Sequence, residues 1–263
     1  MDLAHVANTE AFIKTPIYTP PAAAKGAQRI LVKPNLGYPV GPPVTVSMSV
    51  LAQVLQGLRQ ASPTAEILIV EGVCSKLSLA DIAERNGLNR LLTAGMRLLD
   101  ADELDCVDYP NQSPHPVRFK TMLAPKLLQE VDCRISVGAF KKTHLKRSPL
   151  ISASLKNLYG LFPRAKYKAR SPHSRGQLHR PAVPLILRDI YFSIGYLFEG
   201  GVVDCTQKFV SPDWKPDKGK AVDIGRVIWG DDLLAVDRMA CETCEEAAAD
   251  YLLPIEELRN KLA

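Results

Sequence analysis

The sequence predicts an α/β fold with a mainly parallel central sheet and helices on both of its faces. Short apolar runs typical of buried strands recur at Ile30 to Lys33, Glu66 to Glu71, Arg134 to Val137, Gly201 to Cys205 and Arg226 to Trp229. Stretches with helical periodicity lie between most of these runs, and such alternation is typical of parallel sheets. With 263 residues, 46% of them hydrophobic, the chain can bury the core of one large domain.

The predicted domain has an irregular N-terminal arm at residues 1–28, where "TPIYTPPAAAKGA" is rich in proline and small residues. Residues 29–263 are predicted to form a single α/β domain that carries a basic loop at 163–181. Helix starts are predicted at Thr45 or Ser47, at Ser78 and at Asp231 or Asp232. A further helix is expected to begin at Ser148 and Pro149 and to end at Gly160.

Positive charge is concentrated in one segment. Between Cys133 and Arg188 there are 13 lysines or arginines and no acidic residue, so the rest of the chain has 20 basic and 28 acidic residues, a net charge of −8, although the whole chain is +5. Like charges held this close repel one another, and a bound anion offsets the repulsion. The segment therefore predicts an anion-binding surface, and the loop "RAKYKARSPHSRGQLHR" is expected to close over the anion as a lid.

The chain starts with "MDLAHVANTE" and lacks a long uncharged apolar run, so we expect a soluble, cytoplasmic protein without a membrane partner. Its six cysteines show no disulfide spacing and are expected to be reduced. Cys241 and Cys244 form a CxxC, which is half of a metal site, and Asp237 shares their helical face. A buried Asp beside two packed thiols is the competing interpretation.

Ligands of open α/β sheets bind beyond the carboxyl ends of the strands, so the residues that follow each strand are the candidates for the site. Each also has a structural reading, such as a solvated loop for the lysines, a helix C-terminus for Lys156 or a backbone-satisfied ring for His144. Lys146 and Arg147 belong to the same charged run. The predicted catalytic residues are His144, Lys156, Asp204 and Asp237, and the predicted binding residues are Lys33, Asn35, Lys141, Lys142, Asn157 and His173.

Four motifs in order carry a family resemblance: "KPN" after the first strand, "KKTH" after a central strand, "SLKNLYGLFP" followed by a histidine, and "DLLAVD" near the end. Together they resemble the domain-of-unknown-function family DUF362 over Arg29 to Glu245. The resemblance implies an α/β fold and, because many members are fused to ferredoxin-type modules, a redox setting with a ferredoxin-like partner. This chain lacks the clustered C-x-x-C-x-x-C run of such a module.

Three functions follow from these observations. The first is an enzyme that binds a small phosphorylated or polycarboxylate anion at the lysines and histidines, with Asp204 or Asp237 as a base. The second is a redox protein with a divalent metal or an iron–sulfur cluster, as the resemblance implies. The third is RNA binding, against which the net −8 of the remaining chain argues. The first is the preferred hypothesis.

Overall fold

The computed structural model describes residues 4–15, 17–145, 148–213 and 218–262. Its strands are β1 (Ala4–Asn8), β2 (Arg29–Pro34), β3 (Glu66–Glu71), β4 (Met96–Asp100), β5 (Cys106–Pro110), β6 (Thr121–Pro125), β7 (Cys133–Leu145), β8 (Ser148–Ser152), β9 (Gly200–Val210) and β10 (Lys220–Gly230). Its α-helices are α1 (Thr9–Lys14), α2 (Met48–Ala61), α3 (Leu79–Asn86), α4 (Ser154–Asn157), α5 (Arg164–Tyr167), α6 (Val183–Ser193), α7 (Leu233–Thr243) and α8 (Leu252–Leu262).

The central sheet has eight strands. They lie in the order β1, β10, β9, β7, β2, β3, β4, and β8 pairs with the far end of β7. The neighbours from β9 to β4 are parallel, whereas β1, β10 and β8 pair antiparallel. A separate antiparallel pair is formed by β5 and β6. The predicted α/β class with a mainly parallel sheet is confirmed, and all five apolar runs lie within strands.

Helices cover both faces of the sheet, as predicted. Strand alternation sends Ile30 and Val32 to one face, where they pack with α1 and α2, and Leu31 to the other, where α6, α7 and α8 pack. The predicted helix starts at Ser47, Ser78 and Asp232 are confirmed by side-chain caps on the first turns of α2, α3 and α7. In the described part of the chain, no helix has both the length and the apolarity that a membrane span requires.

The N-terminal segment is more regular than the sequence predicts. β1 pairs antiparallel with β10, and α1 follows it directly, with Asn8 capping the helix and Phe12 fully buried. A helix of six residues is too short to show a periodic pattern, and the strand is defined by a partner more than 200 residues away. The prediction of an irregular arm is therefore wrong for residues 4–14.

The helix expected from Ser148 to Gly160 is also wrong. Residues 148–152 form β8, which pairs with Lys141 to Leu145 of β7, and α4 spans only four residues before a 3-10 turn at Leu158–Leu161. Proline lacks a backbone N–H, so Pro149 fits an edge strand as well as the first turn of a helix. The Ser-Pro signal therefore does not distinguish the two.

Candidate functional site

The order of the strands reverses between β2 and β7. From β2 the chain moves outward to β3 and β4, and then returns to place β7 and β9 on the opposite side of β2. In open α/β sheets, ligands bind where the order reverses in this way, outside the carboxyl ends of the strands. Here β2 ends in Lys33 and Pro34, and the backbone N–H of Asn35 donates to the carbonyl of Val137 on β7 (2.8 Å).

Lys33 lies near the end of β2, where the strand order reverses, and is 1% exposed. Its Nζ is 2.7 Å from Oε1 of Glu71 and donates to the carbonyl of Pro34 (2.8 Å) and to Oδ1 of Asn157 (3.1 Å). Burial lowers the pKa of Lys33, and the neighbouring carboxylate of Glu71 opposes that shift. Glu71 is therefore the charged partner of this buried lysine.

Glu71 ends β3 and is buried as completely as Lys33. Its carboxylate accepts hydrogen bonds from the backbone N–H groups of Leu36 (2.6 Å) and Gly72 (2.8 Å) as well as the ion pair with Lys33. These contacts join the loops after β2 and β3. The sequence shows that Glu71 follows a strand, but nothing in it identifies this carboxylate as the partner of Lys33.

Asn157, the last residue of α4, forms hydrogen bonds with residues of both β2 and β7. Its Nδ2 donates to the carbonyl of Lys33 (2.7 Å) and to Oγ of Ser136 (3.1 Å). Its Oδ1 accepts from Lys33 Nζ (3.1 Å) and from Nδ2 of Asn35 (3.3 Å). The residue thus bridges β2 and β7 and orients the side-chain amide of Asn35.

Lys141 is half-buried and lies on the part of β7 that extends past β2. Its Nζ donates to Oδ1 of Asn35 (2.7 Å) and to the carbonyl of Val44 (2.9 Å). Among the described residues, it has no carboxylate within ion-pair distance. Burial lowers the pKa of Lys141 to about 7, and the positive charges of Lys156 and Lys33 contribute to the shift.

Lys156, on α4, is the third amine of the site and is also half-buried. Its Nζ lies 4.7 Å from the ring centroid of Tyr159, a cation–π contact. Burial lowers the pKa of Lys156. Beside it, His179 packs edge-on against the same ring, and burial, with a contribution from Lys156, lowers the pKa of His179 to about 4. We call Lys33, Lys141 and Lys156 the lysine cluster.

The basic loop at 163–181 is held against the loop after β3 by Arg175, which is 2% exposed. Its guanidinium donates to the carbonyls of Gly72 (3.1 Å), Val73 (3.0 Å) and Gly160 (3.2 Å) and pairs with Asp102 (3.2 Å). The loop is thus packed through a buried cation, a role that a charged run in a sequence does not reveal. Closure of this loop over a ligand stays a prediction.

His173 and His179 differ in position on this loop. The backbone N–H of His173 donates to Oγ of Ser171 in an exposed turn, whereas the ring of His179 lies beside Lys156. The sequence predicts His173 as a binding residue and does not single out His179. The distinguishing feature is contact with Tyr159, which the sequence does not show.

Asp204 lies near Lys141, but both of its carboxylate oxygens accept hydrogen bonds from backbone N–H groups. Oδ2 accepts from the backbone N–H of Ser47 (2.9 Å) and Oδ1 from that of Thr206 (2.9 Å). Asp204 is therefore held by the start of α2 and by its own strand. The general-base role predicted for it stays untested, and these contacts favour a structural one.

Asp237 belongs to α7, is fully buried and contacts the first residues of α4. It accepts hydrogen bonds from the backbone N–H and the hydroxyl of Ser154 (2.7 and 2.6 Å), the N–H of Leu155 (3.0 Å) and the hydroxyl of Tyr251 (2.7 Å). These described contacts include no cysteine of the CxxC that shares its helix. Asp237 instead anchors the helix that carries Lys156 and Asn157.

His144 and Lys142 are separated from the lysine cluster. Strand alternation places them on the face of β7 opposite Lys141. Lys142 pairs with Glu246 (2.5 Å), and Nδ1 of His144 lies 3.1 Å from the carbonyl of Ser211. The structure thus divides the predicted site in two, and Lys146 and Arg147 lie outside the described residues.

The cysteines do not fit the metal or cluster site implied by the resemblance. Cys241 and Cys244 are buried against Cys205, and burial raises the pKa of Cys241 to about 12 and that of Cys205 well above its ordinary value. Within the ranges that the structure describes, no three His, Cys, Asp or Glu side chains are grouped to hold a metal ion.

Comparison with solved structures supports the architecture. The lactate racemase apoprotein from Thermoanaerobacterium thermosaccharolyticum superposes with a TM-score of 0.54 at 15% sequence identity, over 89% of this chain and 53% of the racemase. The chain thus spans about half the length of that protein, and the likeness concerns the fold alone. No curated protein matches the sequence.

The family comparison covers most of the chain. The family described as "Domain of unknown function (DUF362)" matches residues 30–242. The match includes β2, β7, α4 and the start of α7, and so all four motifs of the sequence analysis. The chain belongs to the family DUF362.

Proposed function

We propose that the protein is an enzyme that binds a small anionic molecule, phosphorylated or carboxylated, at the lysine cluster. The observation that carries this proposal is the pair of half-buried amines of Lys141 and Lys156, which have no carboxylate partner among the described residues. Burying unpaired positive charge lowers stability, and an anion between the two amines removes that cost.

The surrounding residues give such an anion a defined position. Lys33, Glu71 and Asn157 form a rigid, buried floor, because each is held by several hydrogen bonds. Asn35, Lys141 and Lys156 are half-buried above it, and their N–H groups are the donors that an oxyanion would meet. The site lies where the strand order reverses, the usual binding crevice of this architecture.

Calorimetric titration with inorganic phosphate, citrate and malate tests the proposal. We expect one saturable site whose affinity falls about 10- to 100-fold in Lys141→Met, because a hydrogen bond to a charged group contributes about 1.5–3 kcal/mol. Lys166→Met, which removes an exposed lysine from the same basic segment, should leave the affinity unchanged.

The salt dependence of binding separates this function from RNA binding. A small anion in a pocket should lose little affinity as salt rises, whereas a polyanion on the basic segment should lose it steeply because several counterions are released. Equal loss of affinity in Lys141→Met and Lys166→Met, with a steep salt slope, would replace the proposed pocket by an RNA surface.

A further inference from the structure

Lys156 is the amine of the site that is free to react. Its Nζ lies 4.7 Å from the centroid of the Tyr159 ring, and no hydrogen bond or ion pair joins it to a described residue. The carboxylates nearest to the cluster are committed, because Glu71 pairs with Lys33 and Asp204 accepts two backbone N–H groups. Nothing in the described part of the chain therefore fixes Lys156 as a paired ammonium ion.

A second amine lies beside Lys156. Lys141 is close enough for the two positive charges to repel each other, so protonation of one amine disfavours protonation of the other. Burial lowers the pKa of Lys156, and among its neighbours the thiol of Cys74 acts in the opposite direction. A lysine that is desolvated and placed next to another cation is a common form of activated amine nucleophile.

We propose that Lys156 forms an imine with a carbonyl group of the anionic substrate, which makes the substrate class a 2-oxo acid or another carbonyl compound that carries an anion. This inference rests on the proposed anion site. The neutral amine adds to the carbonyl carbon and a C–N bond forms. The C–O bonds then break, the oxygen leaves as water with both amine protons, and the carbon remains double-bonded to Nζ.

The other lysines of the cluster have different tasks. Lys33 is closed in by Glu71 and Asn157 at the floor of the site. Lys141 is directed by two acceptors, Oδ1 of Asn35 and the carbonyl of Val44, which orient its amine as a fixed donor. Lys141 is thus suited to hold the carboxylate of a 2-oxo acid while Lys156 reacts with the adjacent carbonyl.

Reductive trapping tests the inference. Wild-type protein is incubated separately with glyoxylate, pyruvate and pyridoxal 5′-phosphate in the presence of cyanoborohydride, and the modified lysines are located by peptide mass mapping. We expect at least one probe to label Lys156 well above the exposed Lys166 and Lys168, because Lys156 is partly buried beside Lys141 and has no carboxylate partner among the described residues. Lys156→Arg should abolish that adduct, and Lys166→Arg should retain it.

The outcomes separate this inference from the proposed function. Labelling spread evenly over Lys166 and Lys168, labelling centred on Lys141, or no adduct with any of the three probes overturns the imine at Lys156. If wild-type protein then still binds phosphate by calorimetry in a way that depends on Lys141, the anion site stands without the imine. If wild-type protein binds none of the anions, the proposed function itself fails.

Discussion

The ion pair between Lys33 and Glu71 allows a quantitative test of the floor of the site. The two side chains are 1% and 2% exposed, and Nζ and Oε1 are 2.7 Å apart. Removing one member of a buried pair leaves the other charge without a partner, which typically costs about 3–5 kcal/mol. Lys33→Met and Glu71→Gln should therefore each lower the free energy of unfolding by about that amount. For a chain of this size, the melting temperature should fall by about 2–4 °C per kcal/mol.

The double variant decides whether the cost comes from the pair. Lys33→Met together with Glu71→Gln removes both charges of the pair, so we expect it to cost little more than either single substitution, with an interaction energy of about 3 kcal/mol. Urea unfolding followed by circular dichroism measures all four corners of the cycle. The matched control is the exposed pair of Lys14 and Glu10, 76% and 80% exposed, whose interaction energy should stay below about 0.5 kcal/mol.

Additive single substitutions, or costs below about 1 kcal/mol for each, would refute this reasoning, because a pair that behaves in this way is solvated. The floor of the site would then be open to water, and Lys33 would be a third amine available to an anion. The same cycle repeated with saturating phosphate would show whether the ligand contacts this layer.

Three further predictions concern the amines and their support. The pKa of Lys141 is about 7 in the folded chain, below its unfolded value of about 10.4. Between these two pH values the unfolded chain binds more protons than the folded chain, so the free energy of unfolding should rise from about pH 7 to about pH 10. Lys141→Met should flatten that rise in urea unfolding, and an unchanged rise would mean that other groups cause it. Gly160→Ala would place a Cβ 2.6 Å from Cε of Lys33 and should weaken phosphate binding and lower the melting temperature, whereas Gly41→Ala, with nothing within 4 Å, should change neither. Asp237→Asn turns an amide toward the N–H groups at the start of α4 and should cost about 2–3 kcal/mol in unfolding, and no measurable loss would contradict the anchoring role.

The strands and the polar residues near their carboxyl ends could be predicted because both depend on local sequence. Buried parallel strands are short apolar runs, and a polar residue directly after one of them must lie at the edge of the sheet. Lys33 ends the first predicted apolar run, Asn35 comes just after it, and Lys141 comes four residues after the run that ends at Val137. Lys156 and Asn157 lie further along the same acid-free segment. The structure brings these five residues together, and their chemical roles stay predictions.

Pairings between distant parts of the chain could not be predicted. The local sequence shows that a buried lysine needs a partner, but Glu71 becomes that partner only through the neighbouring positions of β2 and β3. In the same way, Arg175 looks like one more cation of a basic loop until the carbonyls around it are known. The strand β1 was missed for this reason as well, since its partner is β10.

The distribution of counter-charges is the strongest argument that the cluster serves a ligand. The buried cations that hold the fold are compensated, Lys33 by Glu71 and Arg175 by Asp102 and several carbonyls. Lys141 and Lys156 lie close to each other, and neither has a carboxylate within ion-pair distance in the described part of the chain. A purely structural lysine would be stabilised by a carboxylate or replaced by an apolar residue of similar size, because an unpaired buried amine only lowers stability. The lowered pKa values of these two lysines are the physical sign of that cost, and an anionic substrate is what would remove it.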